Sequence, residues 1–370
     1  MPKNDFRLSG TNYLLNHSVG RPLKTAQTAF AESFFAPWQD SGIEPWGDWL
    51  NIIDDFRSAL GKMFNASKHE FCPQVNLSSA LTKIVMSLAQ LQQTKPVVLL
   101  SENDFPSIGF ALQKALPEHY QLKFIPKEQD ITDINVWQAY LTQDVDLAFI
   151  SHAYSNTGEI APLDEILKLT KKCNILSILD IAQSAGIVPL DLQKQCPDFM
   201  IGSSVKWLCG GPGAAYLWVN PDKIQTCQPK DVGWFSHENP FEFDIHHFRY
   251  HDTALKFWGG TPSIAPYSIA AHSIEYFSAL GSQAMRQHNQ SLIELVAAQF
   301  DKEFVSPREK SKRSGTLILN FGDKQTKVMT ALKNANISVD ARSSGMRISP
   351  HIYNDIEDIE QLIAVIKSAS

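Results

Sequence analysis

Two ionisable residues of this sequence each close an apolar run: an aspartate and a lysine. Asn174-Ile-Leu-Ser-Ile-Leu-Asp180 ends in the carboxylate. Downstream, Phe199-Met-Ile201 leads through Gly202-Ser203-Ser204-Val205 to Lys206, and the glycine-rich turn Gly210-Gly-Pro-Gly213 follows. If both runs are buried strands, an acid and an amine emerge at strand ends. An enzyme that holds pyridoxal phosphate needs this pair. The lysine forms the Schiff base, and the carboxylate keeps the pyridine nitrogen protonated so that the ring accepts electrons.

Other candidates stand at further strand ends. Asn76-Leu-Ser78-Ser79-Ala80 opens a helix, so its backbone N–H groups and hydroxyls form a cradle for a phosphate. Phe105 follows the apolar run at 97–102 and is placed to lie against a planar ring. The turn from Ser151 to Gly158 carries His152 and Tyr154. Each has an ordinary account by itself: helix capping for Ser78 and Ser79, a core aromatic for Phe105, a surface ion pair for Lys206 or Asp180. The combination, in this chain order, is what points to a cofactor site.

The elements that must position these residues alternate along the chain. Strands are expected at 97–100, 122–125, 146–150, 175–179, 199–201 and 214–219, several of them nearly continuous apolar runs of the kind covered on both faces. Between them lie amphipathic helices. One spans about 79–91, with Leu81, Ile84, Val85, Leu88 and Leu91 on one face, and another follows Pro162. This is an α/β pattern, a mostly parallel sheet sandwiched by helices, and ligands of such sheets bind at the strands' carboxyl ends.

Residues 220–265 interrupt the alternation with an irregular, aromatic-rich stretch that is expected to cover a site or a subunit interface. Beyond it, helices at 267–280 and 282–300 lead to a smaller α+β C-terminal domain. Its strands are expected at 316–321, 337–339 and 346–349, and its helices at 324–335 and 355–368. The reading divides the chain into an N-terminal segment (1–15), a cofactor-binding large domain (16–265) and a small domain (266–370).

With 370 residues, 44% hydrophobic and 19% charged, the composition is that of an ordinary globular chain. A net charge of −6 offers no basic field for nucleic acid. The five cysteines are widely spaced with no Cys-x-x-Cys pair, which suits a reducing cytoplasm and no structural zinc. No run approaches the roughly 18 apolar residues of a membrane span. A cytoplasmic location is therefore expected. No Gly-x-Gly-x-x-Gly or Walker sequence suggests a nucleotide site.

Asp180-Ile-Ala-Gln183-Ser-Ala-Gly186, Gly202-Ser-Ser-Val-Lys206 and Gly210-Gly-Pro-Gly213 resemble the core motifs of the class V aminotransferase-fold enzymes, a branch of the fold-type I pyridoxal-phosphate superfamily, and those of kynureninases in particular. The likeness extends over most of the chain. Tyr13 to Gly20 resembles an N-terminal active-site segment, Phe105-Pro-Ser107 the motif whose phenylalanine stacks on the cofactor, and Gly233-Trp234-Phe235 a motif near the phosphate. Gly345-Met-Arg347-Ile-Ser349 resembles the segment whose arginine binds the substrate α-carboxylate.

The resemblance implies a cofactor held by Lys206, Asp180, Ser78, Ser79, Phe105, Gln183, Ser203 and Trp234, with Thr261 of Gly259-Gly-Thr-Pro262 reaching the phosphate of the neighbouring subunit of a homodimer. It implies an amino-acid substrate facing Arg347, Tyr154 and His17. Ile108, Gln183 and Val205 replace an aspartate, a histidine and a tyrosine of the kynureninase pattern, removing polar contacts while leaving the lysine and aspartate chemistry intact. Kynureninase-like hydrolysis is the first expectation. A transaminase, or a binding module that keeps the fold without catalysis, are the alternatives. A cysteine desulfurase needs a cysteine nucleophile in the C-terminal domain, and no cysteine follows Cys227.

Overall fold

The computed structural model describes residues 2–93 and 95–370. Seven strands form its central sheet: β1 (Phe71–Gln74), β2 (Val97–Ser101), β3 (Gln121–Ile125), β4 (Leu147–Ser151), β5 (Leu176–Asp180), β6 (Phe199–Ser203) and β7 (Ala215–Val219). Their spatial order is β1-β7-β6-β5-β4-β2-β3. The five strands from β2 to β6 run parallel, whereas β7 lies antiparallel to both β6 and β1. The expected mostly parallel α/β sheet is what the chain folds into.

Burial explains why these runs are apolar without alternation. In β4, Leu147 and Phe149 enter one core, while Ala148 and Ile150 enter the other on the opposite face. Both faces are covered, so successive side chains are all withdrawn from water, each large one contributing about 1.5–3 kcal/mol. Helix α1 (Trp46–Phe64) covers one face, and α2 (Leu77–Ser87) and α3 (Pro106–Ala115) cover the other. β1 was not visible in the sequence, being four residues long and interrupted by Pro73. It is an edge strand, where a residue without an N–H is tolerated.

Helix α4 (Leu163–Cys173) precedes β5 and packs into the first core. Helix α5 (Ala265–Leu280) places Tyr267, Ala270, Ile274 and Phe277 in that same core. A separate core begins with Leu292 in α6 (Ser282–Ala297) and includes Leu14 from the N-terminal segment. Packing therefore divides the chain later than residue 265, because α5 buries its apolar face on the large unit. The second core underlies an antiparallel sheet of β8 (Leu317–Leu319), β9 (Asp340–Arg342) and β10 (Gly345–Ile348), ordered β9-β10-β8. Helices α7 (Gln325–Asn334) and α8 (Ile356–Ala369) pack on it. Among the described residues no helix is long and apolar enough to cross a membrane.

Candidate active site

Because β2, β4, β5 and β6 run in parallel, Ser101, Ser151, Asp180 and Ser203 all end at one edge of the sheet. Ser151 is the register partner of Asp180. The Asp180 carboxylate is buried, and its Oδ1 accepts the Ala182 N–H at 2.8 Å. Among the described residues its other oxygen has no hydrogen-bond partner. Burial pushes this carboxyl above its ordinary range, against the downward pull of the Ala182 N–H and the Lys206 charge.

Lys206 lies past the end of β6, in the turn that returns to β7. Burial pushes its amine down, the Arg347 charge pushes it further, and Asp180 draws it partly back. The amine has no hydrogen-bond partner among the described residues. These couplings put Lys206, Asp180 and Arg347 in one electrostatic site although three separate segments supply them.

The N-terminal segment is threaded through this site. Gly20 N–H donates to the Val205 carbonyl at 2.9 Å. A Cβ at Gly20 would stand 2.1 Å from the Lys206 carbonyl oxygen and 2.5 Å from Cys209 Sγ, so only glycine fits there. Gln183 donates from Nε2 to the His17 carbonyl at 3.0 Å, while its Oε1 is buried with no partner. His17 is 2% exposed. Both its ring nitrogens are engaged, Nδ1 with Ser349 Oγ at 2.7 Å and Nε2 with Asp340 Oδ1 at 2.9 Å. Both His17 ring nitrogens are thus engaged within the protein, leaving neither free to hydrogen-bond a substrate.

Arg347, on β10, is nearly buried. Its Nε donates to Asp340 Oδ1 at 2.8 Å and its Nη2 to Asp340 Oδ2. Its Nη1 reaches Ser155 Oγ and Asn156 Oδ1, each at 3.3 Å, in the turn after β4. Tyr154 in the same turn is buried beside Asp104.

Phe105 stands at the N-terminal cap of α3 with 71% of its surface exposed, so it is not the core aromatic that its type suggests by default. Beside it, Asp104 was missed in the sequence reading. Its Oδ2 accepts the Ser101 N–H at 2.8 Å and its Oδ1 the Ser151 hydroxyl at 2.7 Å. Desolvation, together with the nearby Asp180 charge, pushes its carboxyl up to about 7. An acid adjoining a strand-end aromatic was the available signal. Ile108 is buried in the core beneath α3, so its side chain does not reach the site.

Asn76, not a serine, caps α2, its Oδ1 accepting the Ser79 N–H at 2.8 Å. That frees the Ser78 and Ser79 hydroxyls, which among the described residues make no hydrogen bond. They line an open cavity of about 480 Å³ with Thr82, Lys83 and Ser107. Lys83 Nζ donates to the Phe257 and Trp258 carbonyls at 3.0 and 2.9 Å, so the segment leading to Thr261 lies beside α2. Thr261 is exposed. Trp234 lies in a short turn whose Phe235 N–H donates to the Gly259 carbonyl at 3.1 Å. Ser203, at the end of β6, accepts the Val205 N–H through its hydroxyl at 3.4 Å.

The comparisons with known proteins identify the family and the fold that carry this acid, this buried amine and this helix start. Residues 44–362 match the aminotransferase class-V family. The chain belongs to that family. Within it, the kynureninase of Pseudomonas fluorescens is 26% identical over 325 residues, covering 82% of this chain and 76% of the relative. The uncharacterized aminotransferase YcbU of Bacillus subtilis is 22% identical over 345 residues, 91% of each chain. Among solved structures, C-DES with glycine covalently linked to its PLP cofactor superposes with a TM-score of 0.89 at 18% identity, covering 100% of this chain and 99% of that one. A cysteine desulfurase from Thermococcus onnurineus gives 0.87 at 19%, with 99% and 97% covered.

As a class V enzyme the chain depends on pyridoxal phosphate, and its residues fit that cofactor. Three groups await a partner: the second oxygen of Asp180, the orphaned Gln183 Oε1 and the open face of Phe105. Unsatisfied polar atoms are costly when buried, so groups of these kinds suit a polar ring as partner.

Proposed function

We propose that this class V enzyme acts on an α-amino acid, cleaving its side chain by kynureninase-like hydrolysis, and that it works as a cytoplasmic homodimer. The observation that carries the reading is that the Lys206 amine is coupled electrostatically to both Asp180 and Arg347, so an acid suited to the ring and an arginine suited to a carboxylate share its site. The sequence similarity to kynureninases supports this branch. The lack of any cysteine after Cys227 counts against a desulfurase.

In this reading Lys206 and Asp180 would hold the cofactor, Phe105 would lie against its ring, and Gln183 and Ser203 would supply polar contacts. Ser78 and Ser79 take the phosphate with the N–H groups that open α2. Bound there, pyridoxal phosphate supplies the electron sink for carbanion chemistry. Lys206 supplies the proton traffic. Its amine, lowered by burial and by Arg347, is neutral more often than a surface lysine at the same pH, so it can take a proton from the substrate and return it. Asp180 stays an acceptor for the ring N–H, and Arg347 orients the substrate carboxylate, with Tyr154 beside it. The exposed Phe241, Phe243 and Ile245 next to Trp234 are the apolar surface on which a second copy would pack, bringing Thr261 to the neighbouring phosphate site.

Transamination is the second reading, favoured by the similarity to YcbU and served by the same lysine, aspartate and arginine. Product analysis separates the two. With kynurenine as the only substrate, hydrolysis releases anthranilate and alanine. A transaminase is silent until a keto acid is added, and that result would overturn the first reading.

A further inference from the structure

The Arg347 fork is not empty. A guanidinium offers a side-on edge (Nε with one Nη) and an end-on edge (the two Nη), each able to grip a carboxylate with two hydrogen bonds. Asp340 takes the side-on edge through both of its oxygens. Nη1 remains, held only at 3.3 Å by Ser155 and Asn156.

Asp340 is fixed in turn. Thr316 Oγ1 and Ser349 Oγ are 2.8 Å apart, Ser349 Oγ and His17 Nδ1 2.7 Å, and His17 Nε2 and Asp340 Oδ1 2.9 Å. Burial lowers the His17 pKa, which disfavours a second proton on the ring. The single proton then sits on Nε2 facing the carboxylate, and Nδ1 accepts from Ser349. The relay ties β8, β10, the N-terminal segment and β9 to one guanidinium.

We infer that Asp340, held by His17, is a positioning residue that fixes Arg347 so that its Nη1 edge, flanked by Ser155 and Asn156, receives the substrate carboxylate end-on. The inference rests on the reading of Arg347 as the carboxylate receptor. Its consequence is chemical. Asp340 cancels the arginine's charge, so the site draws anions weakly at long range and selects by short, directed hydrogen bonds. An unheld arginine would instead swing to grip any carboxylate side-on.

Asp340→Ala tests this, because its side chain is 30% exposed and the hole it leaves is open to a small carboxylate. In the cofactor-loaded enzyme, KM for the amino acid rises about tenfold or more while kcat changes much less, as expected when a hydrogen-bonded charge is lost from binding. Formate refills the hole and restores KM. Asp340→Asn keeps the acceptor for Nε, loses the one for Nη2, and shows a smaller rise.

A second readout needs no substrate. Formate raises the Tm of apo Asp340→Ala by more than it raises that of the wild type, which offers it only the end-on edge, and leaves the Asp340→Ala/Arg347→Ala double variant unmoved. An unchanged or lowered KM in both single variants overturns the proposal, since Asp340 then either does nothing for the arginine or competes with the substrate. A formate-insensitive Tm in apo Asp340→Ala overturns it as well. If the wild type turns over no amino acid, the functional reading fails, and the Tm series still decides whether Asp340 occupies an anion seat on Arg347.

Discussion

At the floor of the site, Lys206 and Asp180 each keep polar surface without a partner, and burial pushes the pKa of each toward its neutral form. At the wall, Arg347 and Asp340 satisfy one another. The His17 and Arg347 hydrogen bonds hold the Asp340 carboxyl well below the usual carboxylate range, overcoming desolvation. Burial alone does not account for the contrast, since all of these groups are at least partly withdrawn from water. What differs is partnership. The floor keeps unpartnered groups that a bound ring would satisfy, whereas the wall is already paired except at the Nη1 edge of Arg347. In the proposed reading, the unsatisfied buried groups take the cofactor and the satisfied ones form the frame that aims the substrate.

Removing the floor's amine is the hardest way to break this contrast. Lys206→Ala is expected to abolish the visible absorbance of the loaded protein and to cut turnover by at least ~10³-fold, since both covalent attachment and proton transfer are lost. Spectra and single-turnover rates check it, and a variant that stayed coloured and active would mean the amine has been misassigned. Next in size is the joint between floor and wall. In Gly20→Ala the new methyl meets the Lys206 carbonyl, which no rotamer change relieves. The backbone must shift, at a cost of about 3 kcal/mol, the upper part of the usual overpacking range. Urea unfolding gives the stability loss. Turnover should fall with it, because the shift displaces Lys206.

How far each half of the site was legible follows the same division. Asp180 and Lys206 were legible from local sequence because an acid and an amine follow apolar runs in that chain order, although either one alone has an ordinary account. Phe105 and the Ser78-Ser79 helix start were legible only as members of that combination. The wall was not. Nothing in Ser338-Val-Asp340-Ala-Arg342 says that its acid will pair with an arginine on the next strand and a histidine near the N-terminus. Arg347 was found by motif resemblance. His17 was found too, but as a substrate contact, because sequence proximity to an active-site segment cannot tell which way a ring faces. Asp104 escaped because its importance comes from Ser151 and Asp180 on neighbouring strands, a tertiary fact.

Asp104 also supplies the finest probe of the floor. Its folded-state carboxyl titrates near 7, above its value in the unfolded chain. Below about pH 4 both states hold the proton, and the contribution to stability is fully present. As the pH rises from about 4 to about 7 the unfolded chain gives up its proton while the folded one keeps it, so stability falls. Asp104→Asn removes this slope without unmaking the local bonds. Its Oδ1 accepts the Ser101 N–H, and its amide donates to the Ser151 hydroxyl, which turns to accept. The difference in unfolding free energy between variant and wild type, which cancels the titration of groups not coupled to Asp104, should therefore swing toward the variant by on the order of 4 kcal/mol between pH 4 and pH 8. Denaturant titrations of the apoprotein at several pH values measure it. A flat difference would show Asp104 ionised throughout and its repulsion with Asp180 relieved by solvent. A swing of the stated sign would mean that the floor holds a second acid able to keep its proton near neutral pH, so that Asp180 can carry the charge for the ring alone.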